Sequence, residues 1–146
     1  MMKILLISIL LFTTTMSFAE IKLSEIQGSW SILCTQATID SQKGFLIETY
    51  TFKDSSFTRT RDWYSDSVCN KKTSSEIEKG KILISNNTSS NSFNPPKTYK
   101  ASFRTSNGTD HGLIWLDEAH AKIRLSRGIG KNKSTLLGIF DYIKKS

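Results

Sequence analysis

Alternation of apolar and polar residues with a period of two is the feature that most constrains the fold of this chain. It begins at residue 28 and recurs in Gly28–Cys34, Phe45–Phe52 and Phe57–Tyr64. Successive side chains of a strand point to opposite faces, so this period is typical of strands with one buried face. Further strand segments are predicted at Thr73–Ile77, Lys81–Ile84, Thr98–Arg104, Gly112–Leu116, Ala121–Ser126 and Leu136–Ile143. The pattern predicts eight or nine short strands.

The connections between these segments are mostly short and rich in turn-forming residues. Lys53–Ser56 has the length of a four-residue hairpin loop, and Asn107-Gly108 is a strong hairpin signal. Gly80 marks a bulge or a tight turn, and residues 85–96 are predicted to form a polar surface loop. A short helical turn is expected at Leu23–Gln27. This arrangement predicts an all-β sandwich or barrel, and we expect a closed antiparallel barrel because it leaves no strand edge unpaired.

The first nineteen residues have the three-part layout of a secretory signal peptide. A basic start at Lys3 precedes an apolar run of about nine residues, and Ser17-Phe18-Ala19 has the small-x-small pattern of a cleavage site. The run is half of what a bilayer-spanning helix needs. A membrane anchor or a buried helix is the alternative. We expect residues 1–19 to be removed after Ala19, and residues 20–146 to form one secreted or periplasmic domain.

Both cysteines lie in the expected mature chain. In an oxidising compartment an even pair predicts one disulfide, Cys34–Cys69. Two free or catalytic thiols are the alternative. The chain has no Cys-x-x-Cys motif, and no histidine neighbours either cysteine, so the disulfide is the favoured interpretation.

Two sets of residues resemble known families of small barrels. Gly28-Ser29-Trp30, at the start of the first strand, resembles the Gly-x-Trp motif of the lipocalins. A wider pattern is similar to the repeated domain of the adenomatosis polyposis coli down-regulated family of secreted Wnt antagonists. It comprises Trp30-Ser31-x-x-Cys34, Phe45-Leu46, Tyr50-x-Phe52, Phe57, Tyr64-x-Asp66-x-x-Cys69 and Gly80-Lys81-Ile82. The resemblance covers residues 28–84 and implies one lipocalin-like barrel of 8–9 strands around an apolar, lipid-accepting pocket.

The chain departs from that family at two polar positions. Thr35 stands where an acidic residue usually follows the first cysteine, and the region of Glu48 stands where a basic residue is usual. The second copy of the domain is also missing, so Wnt antagonism does not carry over. What the resemblance implies for this chain is the scaffold and its pocket.

An aromatic-lined interior is the predicted ligand site. Trp30 is expected to close one end of the barrel, and the candidate wall residues on the following strands are Phe45, Ile47, Tyr50, Phe52, Trp63 and Tyr64. Such a lining is typical of small-molecule pockets. The predicted function is non-enzymatic binding of a hydrophobic small molecule or acyl chain. A solid core is the alternative, which makes the chain a protein-interaction module that uses its loops and a basic face.

Catalytic and metal sites are not predicted. His111 and His120 are assigned to turns and interpreted as solvated, because their spacing fits no metal motif. Asp62 and Asp66 lie four residues apart at a strand end, where solvation is favoured over a glycosidase-type acid pair. The chain contains no motif for a phosphate loop, a zinc protease or a serine hydrolase. We therefore expect no catalytic residues and no cofactor.

The net charge of +7 favours an anionic partner. Expected export argues against nucleic acid as that partner, and favours an anionic envelope surface or an acidic ligand headgroup. Solubility alone is the alternative explanation of the charge. The domain is expected to be a monomer.

Overall fold

The fold is almost entirely built from strands, as the alternation predicts. A computed structural model describes residues 23–39, 41–88, 98–128 and 140–146. In these ranges two 3₁₀ turns, Leu23–Ile26 and Glu118–His120, accompany nine strands. The strands are β1 (Gly28–Ser31), β2 (Thr35–Ile39), β3 (Gln42–Lys53), β4 (Ser56–Tyr64), β5 (Lys72–Thr88), β6 (Tyr99–Thr105), β7 (Gly108–Asp117), β8 (Lys122–Gly128) and β9 (Tyr142–Lys144).

The strands close into an antiparallel barrel. Their hydrogen-bonded order is β1-β9-β8-β7-β6-β5-β4-β3-β2, and β1 pairs with β3 as well. Strand β3 is long enough to serve two partners on one edge: Tyr50 lies opposite Trp30 of β1, and Leu46 lies opposite Thr35 of β2. The result is a closed barrel of eight strands with one additional strand, which confirms the predicted fold class.

The predicted end of the first strand is wrong. We expected Gly28–Cys34 to be continuous, but β1 ends at Ser31 and the chain resumes as β2. Leu33, in the break, is 78% exposed. Strand β2 was not predicted, because it covers only the end of β3 and its residues are exposed or half-buried. A strand with no fully buried face carries little alternation of hydrophobicity.

The predicted segments around Gly80 form one strand, β5, with no turn between them. Gly80 is instead a point of close approach. A Cβ atom there would lie 2.3 Å from the carbonyl oxygen of Arg104 and 2.7 Å from the ring of Phe57. Residues 85–88 belong to β5 and not to the predicted loop, while residues 89–97 lie outside the described ranges, as do residues 136–139 of the last predicted strand.

Packed aromatic rings fill part of the barrel interior. Ring centroids within this aromatic core lie 5.4–6.4 Å apart, and its members are Tyr50, Phe52, Phe57, Phe103 and Tyr142. Separations of this size are typical of interacting aromatic pairs. The core therefore occupies space that an empty aromatic cup would leave open.

Trp30 is buried beside the N-terminal 3₁₀ turn. Its indole Nε1 donates a 2.7 Å hydrogen bond to the carbonyl oxygen of Ile26, a fully buried residue of that turn. Gly28, between turn and strand, has φ = 102°, a backbone conformation that favours glycine. The Gly-x-Trp tripeptide thus positions the chain for entry into β1.

The predicted disulfide between Cys34 and Cys69 is confirmed. It joins the β1–β2 break to the β4–β5 connection, with 5.8 Å between the two Cα atoms. A disulfide is consistent with an extracellular or periplasmic location.

Replacing both cysteines with serine is expected to lower the free energy of unfolding by about 3–4 kcal/mol, because a closed loop between residues 35 positions apart limits the unfolded chain. Urea unfolding of the oxidised protein and of the Cys34→Ser/Cys69→Ser variant measures the difference. A difference below about 1 kcal/mol would show that the link does not constrain the unfolded state.

Candidate functional site

Charged side chains occupy another part of the barrel interior. Every second residue of β4 from Phe57 to Trp63 points to the same side of the sheet. Because Phe57 and Trp63 are buried inside the barrel, Arg59 and Arg61 also point inward. The same parity on neighbouring strands places Glu78 of β5 opposite Arg59. Sequence reasoning did not place these charges inside the barrel. Arg59 and Arg61 lie an even number of positions from Phe57 and Trp63, and this spacing was the sequence signal that could have placed them inside the barrel.

These charges surround a cavity of about 480 Å³, which we call the charged chamber. Its charged lining has three arginines and three carboxylates: Arg59, Arg61, Arg127, Glu48, Glu78 and Asp110. The remaining lining residues are Ile39, Tyr50, Thr105, Asn107, Leu125, Ser126 and Tyr142. Because Tyr50 and Tyr142 also belong to the aromatic core, the chamber lies directly against that core.

Arg127 connects the charges on three strands. Its Nη1 donates to Glu78 Oε2 at 2.5 Å, and its Nη2 donates to Asp110 Oδ2 at 2.5 Å. The guanidinium carbon lies 5.3 Å and 4.9 Å from the ring centroids of Phe57 and Phe103, within cation–π range. Although burial opposes ionisation, the hydrogen bond from Arg127 lowers the pKa of Glu78.

A second hydrogen-bond network joins β3, β4 and β9. Arg61 Nε donates to Glu48 Oε2 at 2.5 Å, and the buried hydroxyl of Tyr142 donates to Glu48 Oε1. Burial and the neighbouring carboxylate raise the pKa of Tyr142. Glu48 is thus held between a cation and a hydroxyl donor, which satisfies both of its carboxylate oxygens.

Arg59 and Arg61 retain unused hydrogen-bond donors. Arg59 contacts Glu78 through Nε at 3.2 Å, and Arg61 contacts Glu48 through Nε. Within the described residues, the Nη nitrogens of both side chains donate no hydrogen bond. The two guanidinium groups are two positions apart on one face of β4, so their free Nη donors face the same space.

The predicted pocket residues are divided between the two faces of the sheet. Trp30, Tyr50, Phe52 and Trp63 are buried inside the barrel. Phe45 and Ile47 alternate with the buried Leu46 and Glu48 and lie on the outer face, where Tyr64 is opposite Phe45. Of the seven candidates, only Tyr50 lines the charged chamber.

The two histidines lie toward opposite ends of β7. His111 is part of the strand, contrary to the predicted turn, and its Nδ1 is 3.1 Å from Ser102 Oγ. His120 lies in the second 3₁₀ turn and contacts Asp117 at 2.7 Å. In the part of the chain that the structure describes, no group of three or more His, Cys, Asp or Glu side chains is arranged to hold a metal ion.

Asp62 and Asp66 are engaged by separate partners. Asp62 contacts Lys72 Nζ at 2.8 Å and accepts a hydrogen bond from Ser75. Asp66 accepts hydrogen bonds from the backbone N–H groups of Asn70 and Lys71, and these lower the pKa of its carboxyl. Asp66 therefore stabilises the loop that carries Cys69.

No protein-family model matches the sequence, and neither the curated proteins nor the solved structures contain a match. The resemblance to the adenomatosis polyposis coli down-regulated family therefore stays a prediction. None of the helical segments within residues 23–39, 41–88, 98–128 and 140–146 has the length and apolar character required to cross a bilayer.

Proposed function

We propose that the protein is an exported, non-enzymatic binding barrel whose charged chamber holds a small amphiphilic carboxylic acid. One observation carries this proposal: the spare hydrogen-bonding capacity of the chamber consists mainly of the Nη donors of Arg59 and Arg61. Spare donors favour a ligand with acceptor oxygens, and guanidinium groups pair well with carboxylates. Sequence analysis predicted a hydrophobic or acyl ligand. A carboxylic acid with an acyl chain keeps this apolar part and adds the acceptor oxygens.

The chamber size limits the ligand. A volume of about 480 Å³ lies within the range of small-molecule pockets. It equals the liquid volume of roughly sixteen water molecules, at about 30 Å³ each. Ile39 and Leu125 supply aliphatic contacts, and the two tyrosine rings supply aromatic contacts. These dimensions favour a medium-chain acid over a long-chain lipid.

The ion pairs of the glutamates in the charged chamber support a binding function over a catalytic one. Glu48 and Glu78 are each paired with arginine, and the pKa of Glu78 is lowered. A general acid that acts near neutral pH needs a raised pKa instead. Export is supported by the N-terminal layout of the sequence and is compatible with the Cys34–Cys69 disulfide.

We expect calorimetric titration with octanoate to show one site per chain and titration with octanol to show much weaker binding. The Arg59→Gln/Arg61→Gln variant is expected to bind octanoate at least about tenfold more weakly, because hydrogen bonds to charged groups contribute about 1.5–3 kcal/mol. Lys43→Gln, an exposed change on β3, is the control and should bind like the wild type. Palmitate tests the size limit and should bind more weakly than octanoate.

Equal binding of octanoate and octanol would contradict the carboxylate site, and so would unchanged affinity in the double variant. Tighter binding of palmitate would instead support a long-chain lipid site. Absence of binding by every ligand would favour the interaction-module alternative.

A further inference from the structure

One part of the outer face of β5, β6 and β7 carries cations without carboxylates. Outward positions at residues 77–85, 100–104 and 109–111 include no Asp or Glu, since Glu78 and Asp110 point into the barrel. We call this surface the basic wall, and its cationic or titratable members are Lys79, Lys81, Lys100, Arg104 and His111. Strand pairing places Lys81 opposite Arg104, which brings two like charges together.

A groove of about 290 Å³ crosses the basic wall. Its polar lining residues, Ser55, Lys81, Ser102, Arg104, Thr109 and His111, include no carboxylate. Lys81 Nζ donates to Ser56 Oγ at 2.9 Å. Arg104 makes no hydrogen bond or ion pair with another described residue. The groove thus combines a free guanidinium with an ammonium and hydroxyl groups, which is the chemistry that binds phosphate oxygens.

Two large apolar side chains project from the same wall. Ile77 is 66% exposed and Leu83 is 62% exposed, and they flank Lys79 and Lys81 along the outer face of β5. Basic residues interleaved with exposed aliphatic residues are typical of surfaces that bind anionic membranes. Single-stranded nucleic acid favours aromatic side chains on which bases stack. The outward positions of these three stretches carry no Phe, Tyr or Trp.

We propose that the basic wall docks the protein on an anionic phospholipid surface. A lipid phosphate group occupies the groove between Lys81 and Arg104, and Leu83 and Ile77 enter the boundary between headgroups and acyl chains. Removal of residues 1–19 takes away Lys3 and leaves a net charge of +6, which attracts the whole molecule to such a surface. The groove is separate from the charged chamber, because the two cavities have no lining residue in common.

Vesicle sedimentation tests this docking surface. The protein is produced with its own N-terminal segment and purified as it is exported by a bacterial host. It is then mixed with vesicles of phosphatidylglycerol and phosphatidylcholine in equal parts, or of phosphatidylcholine alone. We expect binding to the anionic vesicles only, weakened by high salt. The Lys81→Glu/Arg104→Glu variant is expected to lower the partition coefficient at least about tenfold, since each basic residue contributes substantially near such a surface.

Two further variants separate the wall from a general charge effect. Lys43→Glu/Lys145→Glu makes the same change in net charge away from the wall and should retain most of the binding. Leu83→Ser preserves charge and should lower partitioning severalfold by removing the apolar contact. Circular dichroism establishes that each variant is folded.

Several outcomes would overturn the proposal. They are equal binding to neutral and anionic vesicles, an equal loss in the two charge-reversal variants, and no effect of Leu83→Ser. Binding of inorganic phosphate without vesicle binding would show a soluble-anion site instead. Tighter binding to a single-stranded oligonucleotide than to vesicles would assign the wall to nucleic acid.

Discussion

Replacing Gly112 with alanine is expected to lower the free energy of unfolding by more than about 3 kcal/mol, the upper range for overpacked interiors. Gly112 lies on β7 between Ala101 of β6 and Arg127 of β8. A Cβ atom there would lie 1.8 Å from the carbonyl oxygen of Ser126 and 2.8 Å from its carbonyl carbon. Both contacts are with backbone, so a rotamer change cannot relieve them. The β7–β8 pairing must separate or the chain must remain unfolded.

Two other glycines provide a graded comparison for urea unfolding. At Gly80 the nearest backbone atom would be 2.3 Å from a new Cβ, and at Gly44 it would be 3.2 Å away. The expected order of destabilisation is Gly112→Ala, then Gly80→Ala, then Gly44→Ala. If Gly112→Ala proves as stable as Gly44→Ala, the described approach of β8 to β7 is wrong.

Replacing Arg127 with methionine is expected to destabilise the protein by about 3–5 kcal/mol at neutral pH, the range for breaking a buried ion pair. The change leaves Asp110 and Glu78 without their shared partner and removes the cation from its contacts with Phe57 and Phe103. Arg124→Met, also on β8, is the matched control. It removes a more exposed ion pair with Asp141 and should cost less than about 1 kcal/mol.

The effect of Arg127→Met should depend on pH. In the wild type the pKa of Glu78 is lowered, so its ionised form stabilises the fold above the unfolded-state pKa of about 4.3. That contribution is lost as the pH falls through the lower folded-state pKa. In Arg127→Met, Glu78 keeps only its contact with Arg59, so acid relieves the cost of its weakened pairing by protonating it. The stability difference between the two proteins should therefore shrink as the pH falls below about 4.

Unfolding measurements at neutral and acidic pH test this account of Arg127. Adding Glu78→Gln and Asp110→Asn to Arg127→Met should recover part of the lost stability, because neither side chain then carries a charge that Arg127 neutralised, while Arg59 loses its contact with Glu78. A deficit that stays constant with pH and persists in the triple variant would show that Arg127 acts through packing alone.

The barrel could be predicted because its strands alternate strongly. Burial of Phe52, Phe57 and Trp63 follows directly from the period of two. The Asn107-Gly108 turn was predicted equally well, since it joins β6 to β7. The disulfide followed from an even cysteine count in a chain expected to be exported. These features depend on local sequence or on a simple constraint, and little tertiary information was needed.

The charged chamber was harder to predict because its pairing is between distant strands. Arg127 contacts Glu78 across 49 sequence positions, and Tyr142 contacts Glu48 across 94 positions. Composition assigns such charges to the surface, where arginine and glutamate are most often found. Only the register of the barrel shows that each has a partner inside. The aromatic residues were correctly placed in the sheet. Whether space remains between them depends on how their rings pack, and the local sequence does not encode that packing.

A crystal structure of the protein soaked with 8-bromooctanoate tests whether the charged chamber holds a carboxylic acid, because anomalous scattering locates the bromine independently of the other ligand atoms. We expect a carboxylate on the Nη groups of Arg59 and Arg61, with the bromine inside the chamber near Leu125. Bromine found only on the outer face of the sheet, or a chamber filled by protein side chains, would contradict it.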